Sequence, residues 1–132
     1  GPGEGHKGDQ MSLVSKFQKQ ASRDGVIKLF EGSNKFKRDL VSVHDVAVVH
    51  EKMMHETDTC GVFNLGTSKA VNVEEVAKLI AKRYDAKIEY IPMPDHLKSQ
   101  YQEYTCADNA KLHNAIAIRH WHTIEEYING TN

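Results

Sequence analysis

The sequence has no long hydrophobic run, no marked excess of charge of either sign and only two cysteines. Its longest apolar stretches, DVAVV and VAKLIA, fall far short of the roughly 20 residues that a transmembrane helix needs. The 17 basic residues nearly cancel the 18 acidic ones, so charge gives no reason to expect nucleic acid or an anionic membrane as a partner. The polar start of the chain is also unlike a signal peptide. We therefore expect a cytoplasmic protein.

The cysteine and histidine patterns give no metal site. Cys60 and Cys106 stand far apart without a CxxC spacing, which favours two reduced thiols. His50 and His55 diverge by more than one helical face, and the HWH sequence at 120–122 has no third ligand beside it. The sequence also has no H-E-x-x-H motif. We therefore predict that no metal is bound.

Helical and extended patterns alternate along the 132 residues. Apolar spacing predicts helices at 9–24, 44–56 and 72–84. Strands are predicted at 26–30, 36–43, 61–65 and 87–91, and a polar loop follows at 92–104. Two short helices are expected near the end, one capped by Asp108 and one opened by a capping box of Thr123 and Glu126. This alternation predicts one mixed α/β domain over 1–132, long enough to bury about two-thirds of its unfolded surface.

The opening GPGEGHKG is unusually rich in glycine. Gly3, Gly5 and Gly8 spell G-x-G-x-x-G, the fingerprint of dinucleotide-binding folds, but no strand precedes the first glycine as that fingerprint requires. A flexible terminus is the simpler interpretation. A third interpretation is that Lys7, flanked by glycines, lies close to a ligand because its neighbours have no side chains to obstruct it.

Three blocks carry a family resemblance when taken in order: EGHKG at 4–8, KLFEGSNKFKRDLVSVHDVA at 28–47 and PMPDHLKSQYQEYTCAD at 92–108. They resemble the C-terminal, substrate-binding part of the ADP-L-glycero-D-manno-heptose 6-epimerases, which are extended short-chain dehydrogenases/reductases. The resemblance runs nearly without gaps from Gly1 to Asp108 and weakens afterwards. It implies a mixed α/β substrate-binding portion, and it places before Gly1 an N-terminal Rossmann domain that this sequence mostly lacks.

The resemblance implies roles for seven residues. Lys7 matches a lysine that faces both the sugar and the nicotinamide, where it serves as a catalytic acid or base and contacts the cofactor. Six further residues match substrate-binding positions: Phe30, Glu31, Gly32, Ser33, Arg38 and Tyr101. The FEGS turn would line the nucleotide end, the arginine would pair with the diphosphate, and the tyrosine would contact the sugar. Taken singly, each has an ordinary alternative as a turn, an exposed strand charge or a packing aromatic.

The chain departs from the family pattern at three positions. Asp9 and Lys16 stand where the family has a small hydroxyl residue and a histidine, so those two roles are not carried over. An acid beside a diphosphate would repel it, and Asp9 is better explained as a helix cap. Ser68 replaces the last glycine of an NLGTG sequence, which we expect to affect only the shape of that loop.

The chemistry that the resemblance implies is redox epimerisation of an ADP-heptose for the lipopolysaccharide core. In that family a bound NADP removes hydride from C6 and returns it to the other face of the resulting ketone. NADP would be held mainly by the missing half, together with a tyrosine that partners Lys7, since this chain has no Tyr-x-x-x-Lys. The complete protein is expected to be a homo-oligomer, and the chain alone is expected to be inactive. The alternatives are another nucleotide-sugar epimerase or dehydratase of the same superfamily, and a non-enzymatic domain that binds a nucleotide or a protein.

Overall fold

The computed structural model describes residues 1–130. The chain forms two compact units. The first unit consists of Gly1–Lys37 and Val71–Tyr104, and the second of Arg38–Ala70 and the chain from Thr105 onward. The single domain over 1–132 that the sequence predicts stays a prediction.

The first unit is built around two parallel strands, β1 (Val26–Phe30) and β4 (Lys87–Ile91). Their register runs from Val26 opposite Lys87 to Phe30 opposite Ile91. Helices α1 (Leu13–Asp24) and α3 (Val73–Tyr84) pack against each other and against β1. This core buries the apolar positions that recur at helical or strand spacing: Val14, Phe17, Ala21, Ile27, Leu29, Val73, Val76, Ala77 and Ile80.

Local signals set the ends of these helices. The Ser12 side chain accepts a hydrogen bond from the Ser15 backbone N–H and begins α1, while Gly25 ends it in a left-handed conformation with φ 65°. Asn72 caps α3 by accepting from the N–H groups of Glu74 and Glu75. Each cap satisfies backbone groups that a helix end leaves unpaired.

The carboxyl ends of β1 and β4 meet at one edge because the two strands are parallel. A turn at Glu31 and Gly32 and a 3-10 helix, Ser33–Lys35, follow β1. The segment after β4 contains the short helix α4 (Asp95–Lys98) and then Tyr101. In open α/β sheets ligands bind at this edge, so the fold itself marks where a site should be sought.

The second unit contains three helices: α2 (Val43–His55), α5 (Ala110–Ala115) and α6 (Ile124–Asn129). Its apolar cluster is centred on Val49, Leu112 and Ile116, and Phe63 and Trp121 pack against that centre. The Trp121 Nε1 is buried without a hydrogen-bond partner among the described residues. Thr123 and Glu126 form the predicted capping box at the start of α6.

Three further strands are short: β2 (Lys37–Asp39), β3 (Ala70–Asn72) and β5 (Tyr104–Thr105). They form a second sheet in the order β3-β2-β5. Each contains one of the positions at which the chain passes from one unit to the other.

Several predicted elements differ from the observed ones. The helix predicted from residue 9 begins only at Leu13, because Gly8 (φ 53°) breaks a 3-10 helix over Glu4–Gln10 and Ser12 then caps α1; Asp9 therefore does not begin α1. The strand predicted at 36–43 shortens to β2 because Ser42 already caps α2. Residues 61–65 form no strand, and the Val62 side chain is 86% exposed. The loop predicted at 92–104 contains α4 and begins β5.

Asp108 lies at the start of α5, as the sequence predicts. Its carboxylate accepts from the Ala110 N–H, although the residue that directly precedes α5 is Asn109.

Across residues 1–130, none of the helices combines the length and the apolar character that crossing a membrane demands.

Candidate functional site

Tyr101 lies at the centre of an aromatic group at the carboxyl edge of the parallel strands. Its ring centroid is 5.9 Å from that of Phe30, with the planes at 86°, and 4.7 Å from that of Phe36. These are favourable separations for aromatic rings. Because Phe36 is only 6% exposed, it anchors the group in the core, and the structure brings together Phe30 and Tyr101, which the sequence resemblance selected separately.

A first cavity of about 330 Å³ opens on one side of this aromatic group. One face of α1 contributes Lys16, Phe17 and Gln20, and β1 contributes Lys28 and Phe30. Ser33 and Tyr101 complete the part of the wall nearest the aromatic group. The cavity is of the size that holds small ligands, with apolar walls and a few polar side chains.

The Ser33 hydroxyl is the unusual polar group of the first cavity. Ser33 is 1% exposed, and its Oγ forms no well-oriented hydrogen bond among the described residues. The nearby Glu74 carboxylate is already engaged by Lys78 at 2.7 Å and by Tyr90 at 3.0 Å. Lys78 and then Tyr90 lower the pKa of Glu74 most, and Ser33 adds the smallest of these effects. A buried hydroxyl left this way costs stability unless something else pairs with it.

A second cavity, of about 320 Å³, lies at the turn after β1. Its lining includes Glu31 and Gly32 of the FEGS turn, Lys35, Lys98 and Tyr101. Gly32 has φ 81°, a left-handed conformation that favours glycine. Two lysines and two acidic residues, Glu31 and Glu103, give this cavity a mixed charge.

Lys7 lies in the 3-10 helix near the start of the first unit. Its Nζ forms an ion pair with Glu4 Oε1 at 3.0 Å, and its side chain is 44% exposed. The other Glu4 oxygen accepts hydrogen bonds from the Ser12 hydroxyl and the Ser12 N–H. The Ser12 hydroxyl, followed by Ser15 and Lys7, holds the pKa of Glu4 far below its usual range. Lys7 is not among the described residues that line the two cavities.

The glycines around Lys7 do not have the setting of a dinucleotide fingerprint. Residues 1–3 form no strand, and the segment after Gly3 is a 3-10 helix rather than the start of α1. Apart from sequence neighbours, no described atom lies within 4 Å of the positions where a Cβ would stand on Gly3, Gly5 or Gly8. The segment at 3–8 therefore lacks the strand and the close backbone approach of a dinucleotide fingerprint.

Arg38 is half-buried in β2, at the start of the second unit.

The neighbouring Asp39 carboxylate accepts four hydrogen bonds, from the Thr67 N–H and hydroxyl and from the N–H groups of Ser68 and Ala107. Gly66 is required beside it, since an added Cβ would stand 2.7 Å from Asp39 Oδ2 and 2.6 Å from the Ala107 Cβ. This carboxylate therefore organises the loop that follows residue 65.

Ser68 adopts the left-handed conformation, with φ 57°, that a glycine would take more easily. Its hydroxyl donates to the Ala107 carbonyl at 2.7 Å, and its N–H donates to Asp39 at 2.9 Å. The two hydrogen bonds hold the serine in this conformation.

A second carboxylate of this unit, Asp45 of α2, is 4% exposed. It accepts from the His122 N–H at 3.0 Å and contacts His122 Nδ1 at 2.5 Å. The His120 ring lies 5.3 Å from that of His122, and its Nε2 is 3.3 Å from Glu126. Within the part of the chain that the structure describes, no group of three or more His, Cys, Asp or Glu side chains is placed to hold a metal ion.

The sequence analysis gave no role to three polar residues of the first cavity. It considered Lys16 without carrying the family's role over to it, and it did not single out Gln20 or Lys28. Periodicity could have grouped them, because Leu13, Lys16, Phe17 and Gln20 fall on one face of a helix, and Lys28 and Phe30 on one face of a strand. Which of these faces would line a cavity depends on how α1 packs on β1.

Comparison with known proteins places the fold. No family model matches the chain. An ADP-L-glycero-D-manno-heptose-6-epimerase from Helicobacter pylori matches with a TM-score of 0.83 and 26% identity, over 98% of this chain and 39% of that one. RMD from Pseudomonas aeruginosa, solved with NADPH, matches with a TM-score of 0.73 and 18% identity, over 98% and 42%. A dTDP-glucose 4,6-dehydratase from Bacillus anthracis, in complex with NAD, gives 0.71 and 19%, over 91% and 37%.

The chain thus spans about two-fifths of the length of these structures. The two matches below 20% identity bear on the fold alone. Together with the epimerase match, they confirm the mixed α/β fold class and the resemblance that the three sequence blocks indicated. The chain has the fold of a portion of an extended short-chain dehydrogenase/reductase and is similar, over nearly its whole length, to part of an ADP-heptose 6-epimerase.

Proposed function

We propose that this chain is the substrate-binding part of an ADP-heptose 6-epimerase, which inverts C6 of ADP-D-glycero-D-manno-heptose in lipopolysaccharide core synthesis. The observation that carries the proposal is the aromatic group of Phe30, Phe36 and Tyr101 between two cavities at the carboxyl edge of β1 and β4. The similarity to the Helicobacter enzyme supports the choice of substrate.

Each predicted site residue has a part in this proposal, and the Ser33 hydroxyl lines the first cavity as a hydrogen-bonding group for the nucleotide. Phe30 and Tyr101 offer aromatic surface to the nucleotide or sugar, and the Gly32 backbone can approach a ligand closely because it has no side chain. Glu31 lines the second cavity, where its carboxylate can accept hydrogen bonds from hydroxyl groups. Arg38 supplies a guanidinium suited to the diphosphate.

Lys7 is the proton-transfer group that this chain contributes. Its ammonium is held by Glu4, which Ser12 fixes in turn, so the amine has a defined position before substrate binds. A nicotinamide cofactor, NADP in this proposal, would supply the redox chemistry when bound. In this proposal the cofactor would be held mainly by a Rossmann half outside this chain. The complete protein would be a homo-oligomer of the cytoplasm.

A second candidate is another nucleotide-sugar enzyme of the same fold. The match to a dTDP-glucose 4,6-dehydratase, with a TM-score of 0.71, favours keeping it, since the fold serves more than one nucleotide sugar. The two candidates differ in the nucleotide that the chain should prefer.

Calorimetric titration of the chain with ADP-D-glycero-D-manno-heptose, UDP-glucose and dTDP-glucose separates them. We expect the ADP-sugar to bind most tightly, and Arg38→Ala to weaken it by about 1.5–3 kcal/mol through the lost charged hydrogen bonds. Arg23→Ala is the matched control, since Arg23 lies exposed at the end of α1. Tighter binding of UDP-glucose or dTDP-glucose would reject the ADP-heptose proposal in favour of the second candidate.

A further inference from the structure

We propose that Asn72, at the start of α3, is a positioning residue for the segment 31–36 that follows β1, which we call the β1 turn. Its side chain ties a carbonyl of the β1 turn to the end of the helix. The inference rests on the proposed function and deepens it. Asn72 is not among the described residues that line the two cavities, so it acts through the β1 turn rather than by touching the substrate.

The Asn72 amide uses both of its ends. Its Oδ1 accepts hydrogen bonds from the N–H groups of Glu74 at 2.9 Å and Glu75 at 3.2 Å, which caps α3. Its Nδ2 donates to the Asn34 carbonyl at 2.6 Å, across 38 positions of sequence. Serine and aspartate cap helices as well as asparagine does, but of the three only asparagine also offers an amide N–H. The bond to the β1 turn therefore gives this asparagine a role that capping alone does not.

A second hydrogen bond joins the same helix end to the β1 turn. The Val73 N–H donates to the Phe36 carbonyl at 2.9 Å, so two successive residues at the start of α3 each hold one carbonyl of the turn. Within the turn, the Lys35 N–H donates to the Gly32 carbonyl at 3.0 Å and the Phe36 N–H to the Ser33 carbonyl at 3.1 Å. Because the hydrogen-bond geometry of a 3-10 helix is poorer than that of an α-helix, the shape of the turn depends on these outside contacts.

The β1 turn presents side chains to both cavities. Ser33 lines the first cavity, Lys35 the second, and Phe36 both. Phe36 also packs against the Tyr101 ring, with the centroids 4.7 Å apart. A binding site keeps its geometry only when a supporting shell of packing and hydrogen bonds holds its side chains. Loss of the bond to Asn34 should therefore weaken binding, although no group that touches the ligand is removed.

The test uses the variants Asn72→Asp and Asn72→Ser in the 132-residue chain. Both variants keep an oxygen that can cap α3, and both lack the N–H that reaches Asn34. We expect ADP-D-glycero-D-manno-heptose to bind about five- to tenfold more weakly in a calorimetric titration, as for one lost hydrogen bond. Asn64→Asp is the matched control, since it makes the same change at an exposed position of the second unit and should bind normally.

Amide hydrogen exchange, followed by NMR, separates positioning of the turn from a role in the helix alone. In both Asn72 variants the N–H groups of Lys35 and Phe36 should exchange about five- to tenfold faster, while the amides of α3 stay as protected as before. Circular dichroism checks folding. Should the aspartate variant unfold, the uncharged serine variant decides.

Three results would overturn the inference: unchanged ADP-heptose affinity in the Asn72 variants, an equal loss of affinity in Asn64→Asp, or an equal acceleration of exchange in the turn and throughout α3. If the unchanged chain and the Asn72 variants bind the ADP-sugar equally well, only this inference fails. If the unchanged chain binds none of the ADP-, UDP- and dTDP-sugars, the proposed function fails and the inference fails with it.

Discussion

The two units of the chain differ in how they treat buried polar groups. In the second unit, the Asp39 and Asp45 carboxylates are surrounded by donors from distant parts of the sequence. In the first unit, the buried Ser33 hydroxyl forms no well-oriented hydrogen bond among the described residues, although it helps to lower the pKa of Glu74, and it lines a cavity. The Trp121 Nε1 also lacks a hydrogen-bond partner among the described residues, but Trp121 packs in the apolar cluster of the second unit and lines neither cavity.

This difference separates two carboxylates that hold the fold from a hydroxyl that a ligand could still engage. Buried polar groups in native proteins are nearly always hydrogen-bonded, and a fully satisfied network rigidifies its surroundings. A weakly paired hydroxyl beside a cavity keeps hydrogen-bonding capacity that a ligand can use. Substitutions of the Asp39 and Asp45 carboxylates should therefore change stability, and those of the proposed site residues should change binding or turnover.

The largest effect is expected at Lys7, in the complete enzyme that joins this chain to a dinucleotide-binding half. Lys7→Met should reduce turnover by a factor of roughly 10² to 10⁴, the usual contribution of a positioned acid or base. Folding should hardly change, since the Lys7–Glu4 pair is partly exposed. Steady-state kinetics and thermal melting measure the two effects, with Lys19→Met as control. Near-normal turnover would leave Lys7 as a structural partner of Glu4.

The next largest effect belongs to the second unit. Asp39→Ala removes the acceptor of four hydrogen bonds and should lower the free energy of unfolding by about 2–4 kcal/mol. Urea denaturation measures it, and Asp58→Ala removes the same charge from an exposed position of the same unit. A change as small as that of the control would mean that this loop does not depend on Asp39.

Acid should weaken the contact that holds Lys7. Because the folded-state pKa of Glu4 is lowered, its contribution to stability is present above the usual carboxyl pKa of about 4.3 and is lost as the pH falls below it. Glu4→Gln should therefore cost about 1 kcal/mol at pH 7 and progressively less towards roughly pH 2. Urea titrations at several pH values test this, with the exposed Glu51→Gln as control. An equal cost at every pH would show that the charge of Glu4 is not what matters.

The smallest effects on stability and binding are expected at two buried serines, one in each unit. Ser33→Ala should leave stability within roughly 0.5 kcal/mol, because it removes a hydroxyl without a well-placed partner, and should weaken ADP binding several-fold. Ser42→Ala removes the cap that accepts from the His44 N–H and should cost about 1 kcal/mol without affecting ADP. Thermal melting and calorimetry on both variants decide it. A destabilised Ser33→Ala with normal ADP affinity would reverse the assignment.

Elements with strong local signals could be predicted from the sequence. β1, β4, α3 and the capping box of α6 lie where apolar periodicity and cap residues placed them. The strand predicted at 61–65 was wrong because alternation cannot show whether an apolar residue will be buried, and the Val62 carbonyl instead accepts from Lys111 Nζ.

The candidate site was accessible from sequence only through the family blocks. These grouped the FEGS turn with Tyr101 across a long separation, and the structure places both at the same two cavities. Lys16 was considered but set aside because the family has a histidine at its position, and Lys28 was not singled out because, taken alone, it is an ordinary surface lysine. Their shared cavity arises from the packing of α1 on β1, which no local pattern encodes.

Backbone amide chemical shifts, followed during titration of the isotope-labelled chain with ADP, test most directly whether the first unit is the ligand-binding one. We expect saturable shifts at residues 28–36 and 97–103, around the two cavities, and little change around His122, whose backbone N–H is committed to Asp45. Shifts concentrated around Asp45 and His122, or no saturable shift at any ADP concentration, would contradict the assignment of the site to the carboxyl edge of β1 and β4.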